Sequence, residues 1–174
     1  GDRRTNRLEG LFVMGQNPAV GAPNARLERR ALANLDWLVV RDMVETETAT
    51  FWLDSPEVER GELRTEEIAT EVFFFPAAGH AEKEGCFTNT QRLLQWRDKA
   101  VNPPGDARSD GWFVYHLGRR LKARAARDPG LRNRGLNALT WDYPTWGPYG
   151  EPDIDFVLQE INGRSTITGT LVDG

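Results

Sequence analysis

The chain has 174 residues, 39% of them hydrophobic, a formal charge of -4 and a pI near 5.3. That length predicts one domain, 1–174, around one core, and the interspersed charges exclude a general affinity for nucleic acid. No apolar run approaches the ~20 residues that span a bilayer, so no direct membrane contact is expected. Six Trp and eight Phe at a mean hydropathy of -0.56 concentrate apolar surface in large side chains, part of which is expected to face a partner. Met14 is the first Met, so the sequence reads as a fragment of something longer. Cys86 is the single cysteine, which excludes an internal disulfide, a four-cysteine zinc site and a self-contained iron–sulfur cluster.

In chain order, Leu11 to Met14 and Trp37 to Val40 read as buried parallel strands, ending at Gly15-Gln16-Asn17-Pro18 and Arg41-Asp42. Between them Asn24 caps a predicted helix whose Leu27, Ala31, Leu32 and Leu35 share one face, which makes a βαβ unit. Residues 53 to 70, acidic and broken by Pro56, predict a surface connection with a short helical turn and no function. Val72 to Phe75 is a third strand, stopped by Pro76.

From Ser109 a helix is predicted, with Phe113, Leu117 and Leu121 on its buried side and Arg119, Arg120, Lys122 and Arg124 on a solvated face. Residues 128–152, rich in Pro, Gly, Trp and Tyr, predict a long irregular excursion that packs on something. The last helix is expected from Asp153, through Ile154, Val157, Leu158 and Ile161, to a stop at Asn162-Gly163. The fold class is therefore α/β: a Rossmann-like three-layer domain with a mostly parallel sheet flanked by helices.

Ligands of such sheets gather at the carboxyl ends of the strands. Three segments lie there: Gly15 to Gly21, Asp42 to Ala49, and Ala77 to Gln95. The first lacks the glycine spacing of an ordinary dinucleotide fold and the Lys-Ser/Thr of a P-loop, which excludes the usual NAD and ATP signatures. Its small and amide residues let a phosphate or sugar approach the backbone, and a plain strand-to-helix turn explains Gly15 and Pro18 equally well. Asp42 can accept from the ring N–H and amino edge of guanine or from ribose hydroxyls, with Thr46, Glu47 and Thr48 adding polar groups; the alternative is a turn cap. Gly79 to Arg92 is the densest polar cluster, yet His80 and Glu84 lack a nucleophile, oxyanion hole or metal set. Cys86 reads as a small packed side chain.

Gly-Gln-Asn-Pro-Ala at 15–19, Val-Val-Arg-Asp at 39–42 and Glu-Thr-Glu-Thr-Ala at 45–49 stand in an order that resembles the molybdopterin oxidoreductases. The run from Phe73 to Arg92 is similar to that family's strand, Pro, then Glu-x-x-Gly-x-x-x-Asn-x-x-Arg pattern, continued by Lys99 to Trp112. Gln-Trp-Arg at 95–97 and Leu-Gln-Glu-Ile-Asn-Gly at 158–163 resemble the large subunit of respiratory formate dehydrogenases. The likeness runs through nearly all of the chain.

The resemblance implies a domain gripping one guanine-nucleotide arm of a bis-molybdopterin guanine dinucleotide carrying Mo or W. Gly15, Gln16, Asn17, Asp42, Thr46 and Thr48 would face the nucleotide; Glu84, Gly85, Thr88, Asn89 and Arg92 would lie along the cofactor. The family's metal-ligating Cys or selenocysteine, the His beside it and its [4Fe–4S] cysteines match nothing here, so no residue is expected to be catalytic or to bind metal, and the fragment alone is expected to be inactive. The implied parent oxidises formate to carbon dioxide and passes electrons to iron–sulfur clusters. It would work with an iron–sulfur beta subunit and a membrane cytochrome subunit, in a membrane-associated complex at the periplasmic face. Rival readings are the equivalent domain of a nitrate or polysulfide reductase, a stand-alone nucleotide-binding or interaction module, and, for want of a nucleophile the weakest, a small hydrolase using His80 and Glu84.

Overall fold

The computed structural model describes residues 7–88, 92–128 and 130–161. The chain divides into two compact units, residues 1–79 with 103–107, and residues 80–102 with 108–174.

The first unit runs β1 (Gly10–Met14), α1 (Pro18–Gly21), α2 (Ala25–Leu32), β2 (Trp37–Asp42), α3 (Glu47–Asp54), α4 (Pro56–Glu59), a 3-10 turn at Thr65–Glu67, and β3 (Glu71–Pro76). The three strands form a parallel sheet with β2 in the centre, as the sequence predicts. Met14 pairs with Arg41, Arg41 with Phe75 and Asp42 with Pro76, so the strands end together. Strand β2 outruns its apolar stretch by two residues because its backbone stays paired: Gly15 N donates to Arg41 O and Ala77 N to Asp42 O, each at 2.9 Å.

One sheet face, bearing Val13, Leu38 and Val40 with Leu11, Val72 and Phe74, packs against Ala19, Leu32, Ala49 and Phe51 of α1, α2 and α3. On the opposite face Phe12, Met14, Phe73 and Phe75 remain exposed, beside buried Val39 and Arg41. Asn24 caps α2 as expected, its Oδ1 accepting from Leu27 N at 3.1 Å. The buried stripe of α2 is displaced from the predicted one, since Leu27 is 60% exposed and Ala31 also faces solvent. Arg29 takes the inward position instead, because its guanidinium meets the fully buried carboxylate of Glu57 from α4. Residues 53–70 are thus more than a surface connection.

The second unit begins with a 3-10 turn at His80–Glu82 and an antiparallel hairpin of β4 (Gly85–Thr88) and β5 (Leu94–Arg97), in a stretch read from sequence as one loop. It continues with α5 (Asp110–Ala125), α6 (Arg134–Ala138), the short pair β6 (Thr145–Trp146) and β7 (Glu151–Pro152), and α7 (Ile154–Ile161). Ser109 caps α5, accepting from Trp112 N at 2.9 Å. Phe113 is buried there as predicted, whereas Leu121 is 43% exposed. Residues 138–142 draw the inward face of α5 toward Tyr115, Gly118 and Ala125. Lys122 Nζ donates to the carbonyls of Leu139 and Thr140, and Arg119 pairs with Asp142, so two of the four expected solvated bases hold a neighbouring segment. The predicted excursion therefore packs on α5 and carries α6 and two short strands. The expected stop at Asn162-Gly163 lies outside the described residues.

Gly118 lets that segment close, because a Cβ built there would lie 1.6 Å from the Trp141 ring. Gly118→Ala should cost about 1–3 kcal/mol, as overpacking does, read as a lower denaturant midpoint; an unchanged midpoint would remove this contact from the packing. Glu57 gives a pH signature. Its hydrogen bonds from Arg29 hold its carboxyl below the usual carboxylate range, with burial opposing. The pair's contribution is therefore present above the unfolded value of about 4.3 and lost as pH falls through the folded one. Glu57→Gln should cost about 3 kcal/mol at neutral pH, and the gap in thermal midpoint between variant and parent chain should shrink toward acid.

Candidate functional site

In the first unit the sequence-predicted residues converge on the carboxyl edge of the sheet. Gly15 turns out of β1 with φ +63°, a left-handed conformation that favours glycine, and nothing lies within 4 Å of where a Cβ would stand. Gln16 beside it is exposed. Asp42 ends β2; its Oδ1 accepts from Met43 N at 2.8 Å, and among the described residues Oδ2 accepts nothing. The turn-cap reading of Asp42 is the one this hydrogen bond shows, and the second oxygen is left unbonded among the described residues. The hydroxyl of Thr46, at the N-terminus of α3, is buried and has no hydrogen-bond partner.

Asn17 and Thr48 are used differently. The Asn17 carbonyl oxygen accepts from the Thr48 backbone N–H at 3.2 Å and from the Thr48 hydroxyl at 2.7 Å, while its amide donates to Glu47 Oε2 at 2.6 Å. The Thr48 hydroxyl in turn accepts from Ala19 N at 3.1 Å, and Thr48 is fully buried. Their polar atoms hold the loop after β1 to the start of α3; Thr48 is enclosed, while Asn17 stays half-buried. The Glu47 carboxylate is held below its ordinary range by its own backbone N–H and by the Asn17 amide.

Glu84, Gly85, Thr88 and Arg92 belong to the second unit, and Asn89 lies outside the described residues. Gly85 opens β4 and Thr88 closes it with its side chain exposed. Arg92 is exposed at φ +60°. Burial pushes the Glu84 carboxyl up; Lys99 opposes this, and Asp155, Asp153 and Glu151 add to it. No hydrogen bond or ion pair joins His80 to Glu84, and His80 uses its carbonyl to receive Arg97 Nε at 3.1 Å. Cys86 is exposed on the hairpin, paired across from Trp96, and not the packed side chain expected. Among the described residues no group of three or more His, Cys, Asp or Glu is arranged to hold a metal ion.

Sequence reasoning missed Arg29 and Glu57. Glu57 looks like any other acid in a run that also holds Asp54, Glu59 and Glu62, and its burial follows from the turn at Pro56, which periodicity does not reveal.

A three-stranded parallel sheet with helices between its strands makes this unit an α/β fold, of the kind whose ligands gather at the carboxyl ends of the strands. The sequence profile of the molybdopterin oxidoreductase family matches residues 73–120. The chain is 35% identical over 164 residues to the formate dehydrogenase subunit alpha of Megalodesulfovibrio gigas, covering 93% of this chain and 15% of that protein. It is 33% identical over 157 residues to the nitrate-inducible formate dehydrogenase major subunit of Escherichia coli K12, covering 90% and 15%. It is 38% identical over 120 residues to the F420-dependent formate dehydrogenase subunit alpha of Methanocaldococcus jannaschii, covering 69% and 15%. Residues 73–120 thus match the molybdopterin oxidoreductase family, and most of the chain is similar to formate dehydrogenase large subunits. The chain spans about 15% of the length of the formate dehydrogenase subunits it matches.

The carboxylates around Glu84 make a prediction. Because its folded value lies above its unfolded one, Glu84 costs stability at neutral pH, and that cost vanishes as pH falls below the unfolded value of about 4.3. Lys99→Met should move the Glu84 midpoint, followed by carboxyl-carbon NMR, further up, and Asp153→Asn should move it down. Shifts of the opposite sign would show that other groups set it.

Proposed function

We propose that this chain is a cofactor-holding domain from the large subunit of a formate dehydrogenase, gripping the guanine nucleotide of a bis-molybdopterin guanine dinucleotide that carries Mo or W. The observation that carries the reading is Asp42, whose unbonded carboxylate oxygen sits at the sheet edge with the Gly15 turn and the buried Thr46 hydroxyl. A carboxylate so placed accepts the ring N–H and amino group of guanine, which adenine does not offer in that pattern. The residues present fit a nucleotide: the turn leaves its backbone approachable and Asp42 keeps an unbonded oxygen there, whereas the buried Thr46 hydroxyl would contribute only once the start of α3 opens. Asn17 and Thr48 contribute by holding the loop. Glu84, Gly85, Thr88, Asn89 and Arg92 remain in the proposal as cofactor-side residues, on the motif that aligns them.

The cofactor, when bound, supplies a two-electron redox centre, and the protein's part is to hold and orient it. The parent subunit oxidises formate, a reading supported by the names of the relatives, and passes the electrons to iron–sulfur clusters as a further part of the proposal. The proposal extends to the other domains of the same subunit, an iron–sulfur beta subunit and a membrane cytochrome subunit as partners, in a membrane-associated complex at the periplasmic face. The chain by itself turns over no formate, because no segment of it matches the family's metal-ligating Cys or selenocysteine.

Calorimetric titration of the chain with GMP, against AMP as control, tests the site. Selective GMP binding weakened at least about tenfold in Asp42→Ala is expected, equivalent to about 1.4 kcal/mol. Equal binding of GMP and AMP, or an unaffected Asp42→Ala, would remove Asp42 from guanine recognition.

A further inference from the structure

The loop after β1 is held at both ends of a single peptide residue. Ala19 is fully buried; its N–H donates to the Thr48 hydroxyl at 3.1 Å, and its carbonyl accepts from Arg29 Nη1. The Arg29 guanidinium is fixed in turn by Glu57, with Nη2 donating to Oε1 at 2.9 Å and Nε to Oε2. The two side chains are 13% and 1% exposed. A carboxylate this deep is costly unless it is paired and hydrogen-bonded, and a surface pair would serve stability as well with less desolvation. What the burial adds is direction. The planar fork of arginine can engage both carboxylate oxygens and still aim a third N–H at a carbonyl, which a lysine ammonium on a flexible stem does not reproduce.

We infer that Arg29 and Glu57 are positioning residues for the strand-end loop Gly15–Ala19. They fix the Ala19 carbonyl from the side of α2 and α4, as Thr48 and Asn17 fix the loop from the side of α3. Neither touches a ligand. Their effect is to hold Gly15 and Gln16 in one conformation before a nucleotide arrives, so that binding does not pay to order them. This rests on the nucleotide reading of the sheet edge for its consequence, and on the hydrogen bonds for the positioning itself.

Arg29→Lys separates positioning from bulk stability, because it keeps a cation for Glu57 and loses the fork. Amide hydrogen exchange in the full chain is the first readout. Ala19 N–H keeps its bond to Thr48, so its exchange reports how often the loop opens; once the Ala19 carbonyl loses its charge-assisted bond from Arg29, exchange should accelerate at least about tenfold, while the amides of Leu38 to Val40 in β2 keep their rates. Glu57→Gln, which leaves the fork without its carboxylate, should accelerate the same amide. GMP titration is the second readout: affinity should fall about tenfold in Arg29→Lys at a temperature where circular dichroism shows it folded. Unchanged exchange at Ala19, or acceleration spread evenly over Ala19 and β2, overturns the proposal and leaves the pair as a stability element. Local acceleration at Ala19 in a chain whose parent form binds no GMP upholds the positioning of the loop and removes the nucleotide reading instead.

Discussion

Strand β2 is the constraint on which the first unit depends. It is paired on both edges, and Leu38, Val39, Val40 and Arg41 are buried, so its backbone groups have no recourse to water. That forces β1 and β3 into register along its length and makes all three strands run out at the same place. Once they do, Gly15, Asp42 and Ala77 must share an edge, whatever their side chains are. The shared edge is a by-product of backbone pairing, and the side chains decide which polar groups stay unbonded there.

Those side chains divide into groups already spent on the protein and groups left open. Asn17, Thr48 and Glu47 hydrogen-bond one another, which places a carboxylate of the chain itself at the N-terminus of α3. Asp42 spends one oxygen on Met43 and keeps the other, and Thr46 keeps a hydroxyl that nothing in the described chain satisfies. An unmet buried polar atom is expensive.

The three parallel strands were legible as runs of large apolar residues at Leu11–Met14, Val39-Val40 and Phe73-Phe74-Phe75, although only one face of the sheet is covered, while the short strands of the second unit carry no such run. The caps at Asn24 and Ser109 were legible because short polar side chains before apolar periodicity have one common use. The helix faces were less so. On α2 the spacing of Leu27 and Ala31 pointed one way, and a charged pair with a residue 28 positions on turned the helix the other. On α5 the inward stripe was set by Trp141, which needs Gly118 bare and draws Lys122 and Arg119 with it. Periodicity records what an element would bury if hydrophobicity alone decided. It cannot record a partner that arrives from elsewhere in the chain.

The same reasoning explains why motif order identified the family while the roles inside each motif needed coordinates. A motif such as Glu-Thr-Glu-Thr is kept as a unit by a fold, and its members are not interchangeable: Thr46 ends with an unsatisfied oxygen, Glu47 with a lowered carboxyl, and Thr48 wholly enclosed. Three adjacent polar residues thus take three physical fates within one turn of helix. Spacing makes these residues look alike, and only the partners that each side chain meets in the fold tell them apart.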